Sequence, residues 1–485
     1  MNDKKFVCYE EFGAVGDGVH DDMPAIVACH EYANEHGLDV RAKDGAEYYI
    51  GGKALTATIK TNTYFGNAKF TIDDVVLENR ELPIFNVSPS FERFTPEIKE
   101  LTHNQKKIDF PHEGTVYVRV YTDSHKIYIR EGLNKSSGAN PSDCFIVDPE
   151  GNILTDINWD YPTVSSAYAF CTDETPIVID GGVFTTIANQ CESKYNYHGR
   201  GIRITRSHVT VQNIAHYVTG ELDHGAPYGG FLTVSDNYDV TLRDCLLTPH
   251  KIYYTESQIP GQKVGMGTYD LSLGAAIGTK MINLKQSIGI TTTGYWGLMG
   301  SNYCKDMYLE DCEISRFDAH CGVTNAVIKN TKLGSSGLRL IGFGDFLIEN
   351  TEIYSGAFIS LREDYGAFFN GNITIKNCKW IPNANRDLTM ITAHNSGEHN
   401  FGYDCTMPKN IYIDGMTIDD SAADPEFKLY LFGEYNKNFD ESKEYPYPYR
   451  TPDSITLKNV HSTSGRAIEL TPRPELYKNT KLITE

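Results

Sequence analysis

The chain has no run of about 20 apolar residues, the length a membrane-spanning helix requires. Its first eight residues, Met1-Asn-Asp-Lys-Lys-Phe-Val-Cys8, lack the apolar stretch of a secretory leader. Cytoplasmic residence is expected, or secretion where a leader has been removed. Basic charge is scarce, with 44 Lys and Arg against 64 Asp and Glu and a net charge of −20. That balance excludes nucleic acid and an anionic membrane as expected partners, and it leaves only a local basic pocket to hold an acidic ligand. No Cys-x-x-Cys pair and no Cys/His cluster at metal-ligand spacing occurs, so no metal and no other cofactor is expected. The eleven cysteines are an odd set. Cys245, Cys312 and Cys378 recur at one place in a repeat, as stacked core thiols do and bridge partners do not.

What the chain does have is a recurring phrase: apolar, any, apolar, any, then Asn or Asp. It reads Val209 to Asn213, Val240 to Asp244, Met307 to Asp311, Ala326 to Asn330, Phe346 to Asn350, Ile373 to Asn377 and Ile455 to Asn459. A copy from Ile282 to Gln286 and looser ones ending at Gly181 and Gly415 complete the series. Each phrase alternates with period two, the mark of a short strand with one buried face. The polar anchor suits a bend, since Asn and Asp tolerate left-handed backbone angles and bond their own backbone. Intervals between successive anchors run from 19 to 44 residues. A strand-plus-bend unit repeated at that spacing is a coil of strands with insertions of varying size, a β-solenoid. The 42 Gly and 31 Tyr fit many bends and an aromatic-lined surface.

The segment Glu10-Glu-Phe-Gly-Ala-Val-Gly-Asp-Gly-Val-His-Asp-Asp22 resembles the N-terminal signature of the pectate-lyase-like right-handed parallel β-helix proteins. The resemblance implies that a helix from Met23 to Asn34 covers the first coil, with Asp22 as its cap and Pro24 in its first turn. The superfamily includes lyases, hydrolases, esterases, epimerases and viral tailspikes, so the signature chooses no chemistry. The expected fold is all-β: a right-handed parallel β-helix with an N-terminal capping helix and a small inserted antiparallel β subdomain. Cap and first coils occupy 1–85, the insertion 86–172, the main helix 173–470 and a polar tail 471–485. Within the insertion, Val116 to Tyr121 and Lys126 to Arg130 alternate around Thr122-Asp-Ser-His125, a hairpin signal.

In a parallel coil, equivalent strands stack about 4.8 Å apart and outward side chains form a ladder beside a groove. Outward charges that align over several coils therefore mark a site. Asp318 and His320, Arg339, and Arg362 with Asp364 align in this way if Phe317, Ala319, Leu338, Leu340, Ile359 and Leu361 point inward. Glu363 adjoins that ladder. A second alignment, of the stretches beginning Tyr228, Tyr269 and Tyr295, adds Asp270, and His224 lies one coil further back. The expected catalytic set is Asp270, Asp318, Asp364, His320 and Glu363. Arg339, Arg362, His224, Tyr228, Tyr295 and Trp296 are expected to bind substrate, the aromatics by stacking on sugar rings.

Glycoside hydrolysis needs two carboxylates, about 6.5–9.5 Å apart for inversion. Asp270 with Asp318, or Asp318 with Asp364, are two coils apart, a backbone separation of about 9.6 Å. An inverting glycosidase acting on a poly- or oligosaccharide is therefore the leading expectation. A lyase that cleaves a uronate glycan by β-elimination is the alternative, with Arg339 and Arg362 neutralising the carboxylate and His320 as base. The hydrolases of the family that cleave polygalacturonate carry Asp-Asp and Gly-His-Gly. This chain has Glu363-Asp364 and Ala319-His320-Cys321 instead, which leaves the sugar open. A third reading is a non-catalytic tailspike-like glycan binder. A homo-oligomer, dimer or trimer, is compatible with all three, although nothing after residue 460 resembles a trimerisation region.

Overall fold

A computed structural model describes residues 5–129, 138–257, 260–362, 368–393, 404–434, 440, 442–444 and 449–485. The chain has the right-handed parallel β-helix fold, and its strands divide into two compact units. The first comprises Met1–Phe94, His112–Tyr117 and Phe170–Met299; the second comprises Thr95–Pro111, Val118–Ala169 and Gly300–Glu485.

In the first unit the repeated phrase forms a column of parallel strands. Ile179, Val211, Leu242 and Met281 lie in register along it, all fully buried. Two further columns complete each turn: Glu47–Ile50, Thr63–Asp73, Ile177–Ile187 and Ala215–Thr219 in one, and Ala57–Ile59, Phe85–Val87, Ile202–Ile204, Leu232–Tyr238 and Leu271–Ile277 in the other. The core of the early turns is aromatic: Phe65, Phe70, Phe85 and Phe184 pack with ring centroids 4.7–6.4 Å apart. Such rings contribute both buried area and edge-to-face contacts.

The anchors do what their chemistry predicts. Asn213, Asp244, Asp311, Asn330, Asn350, Asn377 and Asn459 all adopt positive φ between 49° and 57°. Their amides chain one coil to the next: Asn213 Nδ2 donates to Asp180 Oδ1 at 2.7 Å and Asn350 Nδ2 to Asn330 Oδ1 at 3.2 Å. One anchor differs from expectation. The bend of its coil falls at Asn283 (φ 51°), not Gln286. Leu284 then takes the core place that Ile214 and Cys245 take in neighbouring coils. Apolar spacing matched two phases there, and of the two candidate anchors Asn283 is the one whose short side chain suits the left-handed corner. Gly415 fills another corner (φ 79°), where a Cβ would stand 2.6 Å from Asn377 Oδ1. Because a left-handed residue with a Cβ costs about 1–2 kcal/mol, Asn350→Ala should destabilise by about 1 kcal/mol and Asn350→Gly by much less. Equal losses in denaturant melts of the two variants would contradict this account of the corner.

In the second unit Leu309, Ile328, Ile348, Ile375 and Ile413 form the equivalent inward column, again fully buried. The inserted sheet has strand order Ser166–Cys171, Val116–Tyr121, Ser142–Val147. The expected hairpin to Lys126 is replaced: Ile127 bridges Ala139, and Tyr121 accepts from the Ser165 amide. Within its unit the insertion is held by a fully buried Lys305–Asp143 ion pair and by Trp159 packed on Phe343 and Phe368.

The N-terminal helix spans Met23–His36 and buries Met23, Ile26, Cys29, His30 and Ala33. Asp22 precedes it without capping it. Its carboxylate instead accepts from the amides of Val15 and Gly16, at 2.7 and 3.2 Å, and so ties down the glycine-rich signature. Asp21 accepts from the Met23 amide at 3.2 Å in its place. Among the described residues no helix is long and apolar enough to cross a membrane, and all eleven cysteines are free thiols.

Candidate functional site

The strand Glu313–Lys329 runs beside Lys332–Leu340, and the latter beside Ile359–Leu361. Phe317, Leu338 and Ile359 share one register position and are buried, as are Leu340 and Leu361. Asp318, Arg339 and Ser360 share the next position, on the outward phase. The inward–outward assignment made from alternation thus describes this face.

Asp318 is nonetheless 0% exposed. Two arginines roof it. Arg316, two residues back on the same side of the strand, places Nη2 at 2.5 Å from Oδ2, and Arg362 Nη1 bonds Oδ1. Burial by itself would raise the Asp318 pKa, but Arg316, Arg362 and His320 outweigh it and hold the carboxyl below its ordinary value. His320 is half-buried, its Nδ1 3.0 Å from Asn302 Oδ1. The Cys321 thiol lies 3.3 Å from the same Nδ1. Arg339 is exposed beside them. The result is an ionised carboxylate held by two guanidinium groups, with an imidazole close by and Arg339 in register on the neighbouring strand. Such a group can accept a proton or stabilise a cation, and its arginines can bind an oxyanion. Glu363 and Asp364 lie outside the described residues. Arg316 was not among the residues expected at the site, although alternation puts it on the same phase of the strand as Asp318.

The remaining expected residues belong to the first unit. Asp270 is fully buried and does not stand on an outer ladder. Its carboxylate turns inward to His216 Nδ1 at 2.8 Å, takes the Thr248 amide at 2.7 Å and lies 3.6 Å from His250 Nε2. His216 itself continues the interior column of Tyr48, Phe70 and Phe184, with its ring stacked on Phe231 at 3.8 Å. His250 Nδ1 in turn bonds Glu221 at 3.1 Å, and Tyr253 donates its hydroxyl to Glu221 at 2.6 Å. Burial opposes charge on Asp270, His250 and Glu221. The mutual pairing still wins, drawing Asp270 down to about 2 and His250 up to about 9. Asp270 is therefore an interior ion-pair residue, enclosed by His216 and His250 and not part of the outward column.

Tyr228 also departs from expectation. It is 5% exposed and stacks face to face on His250 at 4.3 Å, so it offers no surface to a sugar. His224 is exposed, and Tyr295 and Trp296 are half-buried. His216, His250 and Glu221 were missed as a network. His216 could have been found by writing the repeats in register, because it falls on the inward phase after Asn213. His250 lies in a long insertion with no repeat to place it.

The coils, corner ladder and cap give the chain the right-handed parallel β-helix fold. No protein-family model matches the chain, and no curated protein matches it. Among solved structures, it is similar to the tailspike gp61 of Pseudomonas phage phi297, with 12% identity, 94% of this chain and 80% of that one covered, and a TM-score of 0.52. It is also similar to the tailspike gp49 of Pseudomonas phage LKA1, at 14% identity over 94% and 81% of the chains with a TM-score of 0.47. The Gp54 tailspike of Acinetobacter baumannii bacteriophage AP22, solved with a capsular saccharide, is 11% identical over 98% and 79% of the chains with a TM-score of 0.49. At these identities the likeness concerns the fold.

Proposed function

We propose that the chain is a carbohydrate-active enzyme that hydrolyses a glycosidic bond of a poly- or oligosaccharide at the Asp318 cluster. The observation that carries this reading is a buried carboxylate held ionised by two arginines, on the outward column of a β-helix and next to His320 and Arg339. Buried ion pairs also serve structure in this chain, as Lys305–Asp143 and Arg206–Asp173 do; what sets Asp318 apart is its place on the outward column beside His320 and Arg339. Asp318, kept as the anion, is suited to deprotonate an attacking water but not to protonate a leaving oxygen. The acid is then a second carboxylate, and the sequence offers Glu363 and Asp364 immediately after Arg362. His320 and Arg339 orient hydroxyl or carboxylate groups of the substrate.

The lyase reading keeps one specific support, the excess of guanidinium over carboxylate around Asp318, which would neutralise a uronate before its C5 proton is removed. Digestion of neutral and uronate-containing oligosaccharides separates the readings. New reducing ends without the absorbance of an unsaturated uronate are expected. Unsaturated product would replace hydrolysis by elimination, and binding without any product would leave a glycan-binding module. Cytoplasmic residence and a dimeric or trimeric state are part of the same proposal, to be tested by fractionation and by light scattering.

A further inference from the structure

The first unit contains a cleft of about 730 Å³, far along the chain from Asp318 in sequence and built wholly from residues of that unit. Its walls come from 60–62, 90–91, 113–115, 171–177 and Arg206. The volume falls within the roughly 300–1,000 Å³ typical of small-molecule sites.

Arg206 forms its floor and is only 3% exposed. Nη1 bonds Asp173 at 2.5 Å and Ser90 Oγ at 3.1 Å, and Nη2 donates to the Thr175 carbonyl at 2.8 Å. Its buried Nε, by contrast, has no hydrogen-bond partner among the described residues, and neither has Thr61 Oγ1 on the same wall. Buried polar atoms are nearly always satisfied. Two orphaned polar atoms, both on residues that line one cleft, therefore point to a ligand that offers hydrogen-bonding groups of its own.

The lining restricts what that ligand is. Asp173 is spent on Arg206, which leaves Asp39, Glu113 and Glu174 against Lys60. This surplus of negative charge disfavours an anion. The polar walls disfavour a purely apolar molecule, whose burial would strip carboxylates and hydroxyls of water without replacing it. Phe91 stands at the cleft 49% exposed, an aromatic face without cover. A neutral pyranose meets all these conditions. One face carries C–H groups that pack on an aromatic ring, and its hydroxyls both donate to carboxylates and accept from Arg206 or Lys60.

We infer that this cleft is a second glycan-binding site, selective for neutral sugars and separate in sequence and chemistry from the arginine-rich Asp318 cluster. The inference does not require the chain to be a hydrolase. It is tested by calorimetric titration of the full-length chain with cellotriose, maltotriose, xylotriose and trigalacturonate. At least one neutral trisaccharide is expected to bind. Phe91→Ala and Thr61→Val should each weaken that binding at least tenfold while melting as the parent does, and Arg339→Met should leave it unchanged. No binding by any neutral trisaccharide overturns the inference. So does binding that survives both cleft substitutions, or trigalacturonate binding that Phe91→Ala abolishes. Loss of bond cleavage in Arg339→Met with cleft binding intact would bear on the catalytic reading alone.

Discussion

Asp318→Asn should lower the rate of glycan cleavage by about 10²–10⁴-fold, the usual contribution of a positioned acid–base group. The substitution keeps the shape of the side chain and removes its charge. Arg316 and Arg362, each now bonded to one carboxylate oxygen, would then face a neutral amide that can accept from only one of them. Removing one partner of a buried ionic cluster typically costs about 3–5 kcal/mol, so the melting temperature must be measured beside the rate. A variant that is folded at the assay temperature and inactive supports a catalytic Asp318. A folded variant with full activity would remove the carboxylate from the mechanism.

Arg339→Met provides the second half of the test. Arg339 is exposed and adjoins Asp318 in register, not roofing it as Arg316 and Arg362 do. Its loss should leave stability nearly unchanged and raise KM more than it lowers kcat, the signature of a group that holds substrate equally in ground and transition states. On a uronate substrate the effect should be larger than on a neutral one.

The division between what the sequence revealed and what it hid has a physical basis. The corner residues were legible because a left-handed bend accepts few side chains and each coil needs one, which writes Asn or Asp into the chain at intervals. The inward positions Leu338, Leu340, Ile359 and Leu361 were legible because a strand alternates with period two. Asp318 and Arg339 followed from that alternation. The same logic failed at Asp270. It precedes the regular strand Leu271–Ile277, at a corner where outward phase no longer dictates direction, and its carboxylate swings inward because His216 and His250 wait there. Tyr228 failed for the same reason, since the imidazole that covers its face comes from an insertion outside the repeat. Alternation within a strand reports a side; it does not report what a neighbouring loop places over that side.

That interior network should make the stability of the fold depend on pH in a defined sense. His250 is raised to about 9 in the folded chain, against about 6.5 when unfolded. The folded state therefore holds its proton more tightly. The resulting stabilisation is fully present below about pH 6.5 and is lost as pH rises through about 9, and it is worth on the order of 3 kcal/mol. Asp270, lowered to about 2, acts at the other end, with its contribution present above about pH 4 and lost as pH falls through about 2. The acid limb is confounded by His30, which burial drives down to about 3 and which costs stability of its own as pH falls below its ordinary range. On the alkaline limb the buried thiols of Cys245 and Cys378, both pushed up to about 12, also lose stability above about pH 9, so the parent must be compared with a His250 variant at each pH. His250→Gln retains a polar group near Glu221 and Asp270 but cannot carry the charge. Its unfolding free energy should lie several kcal/mol below that of the parent at pH 6, and the gap should close as pH rises from 7 to 10. A gap that stays constant over that interval would mean that His250 contributes shape alone, and that Asp270 and Glu221 are held apart by a neutral ring.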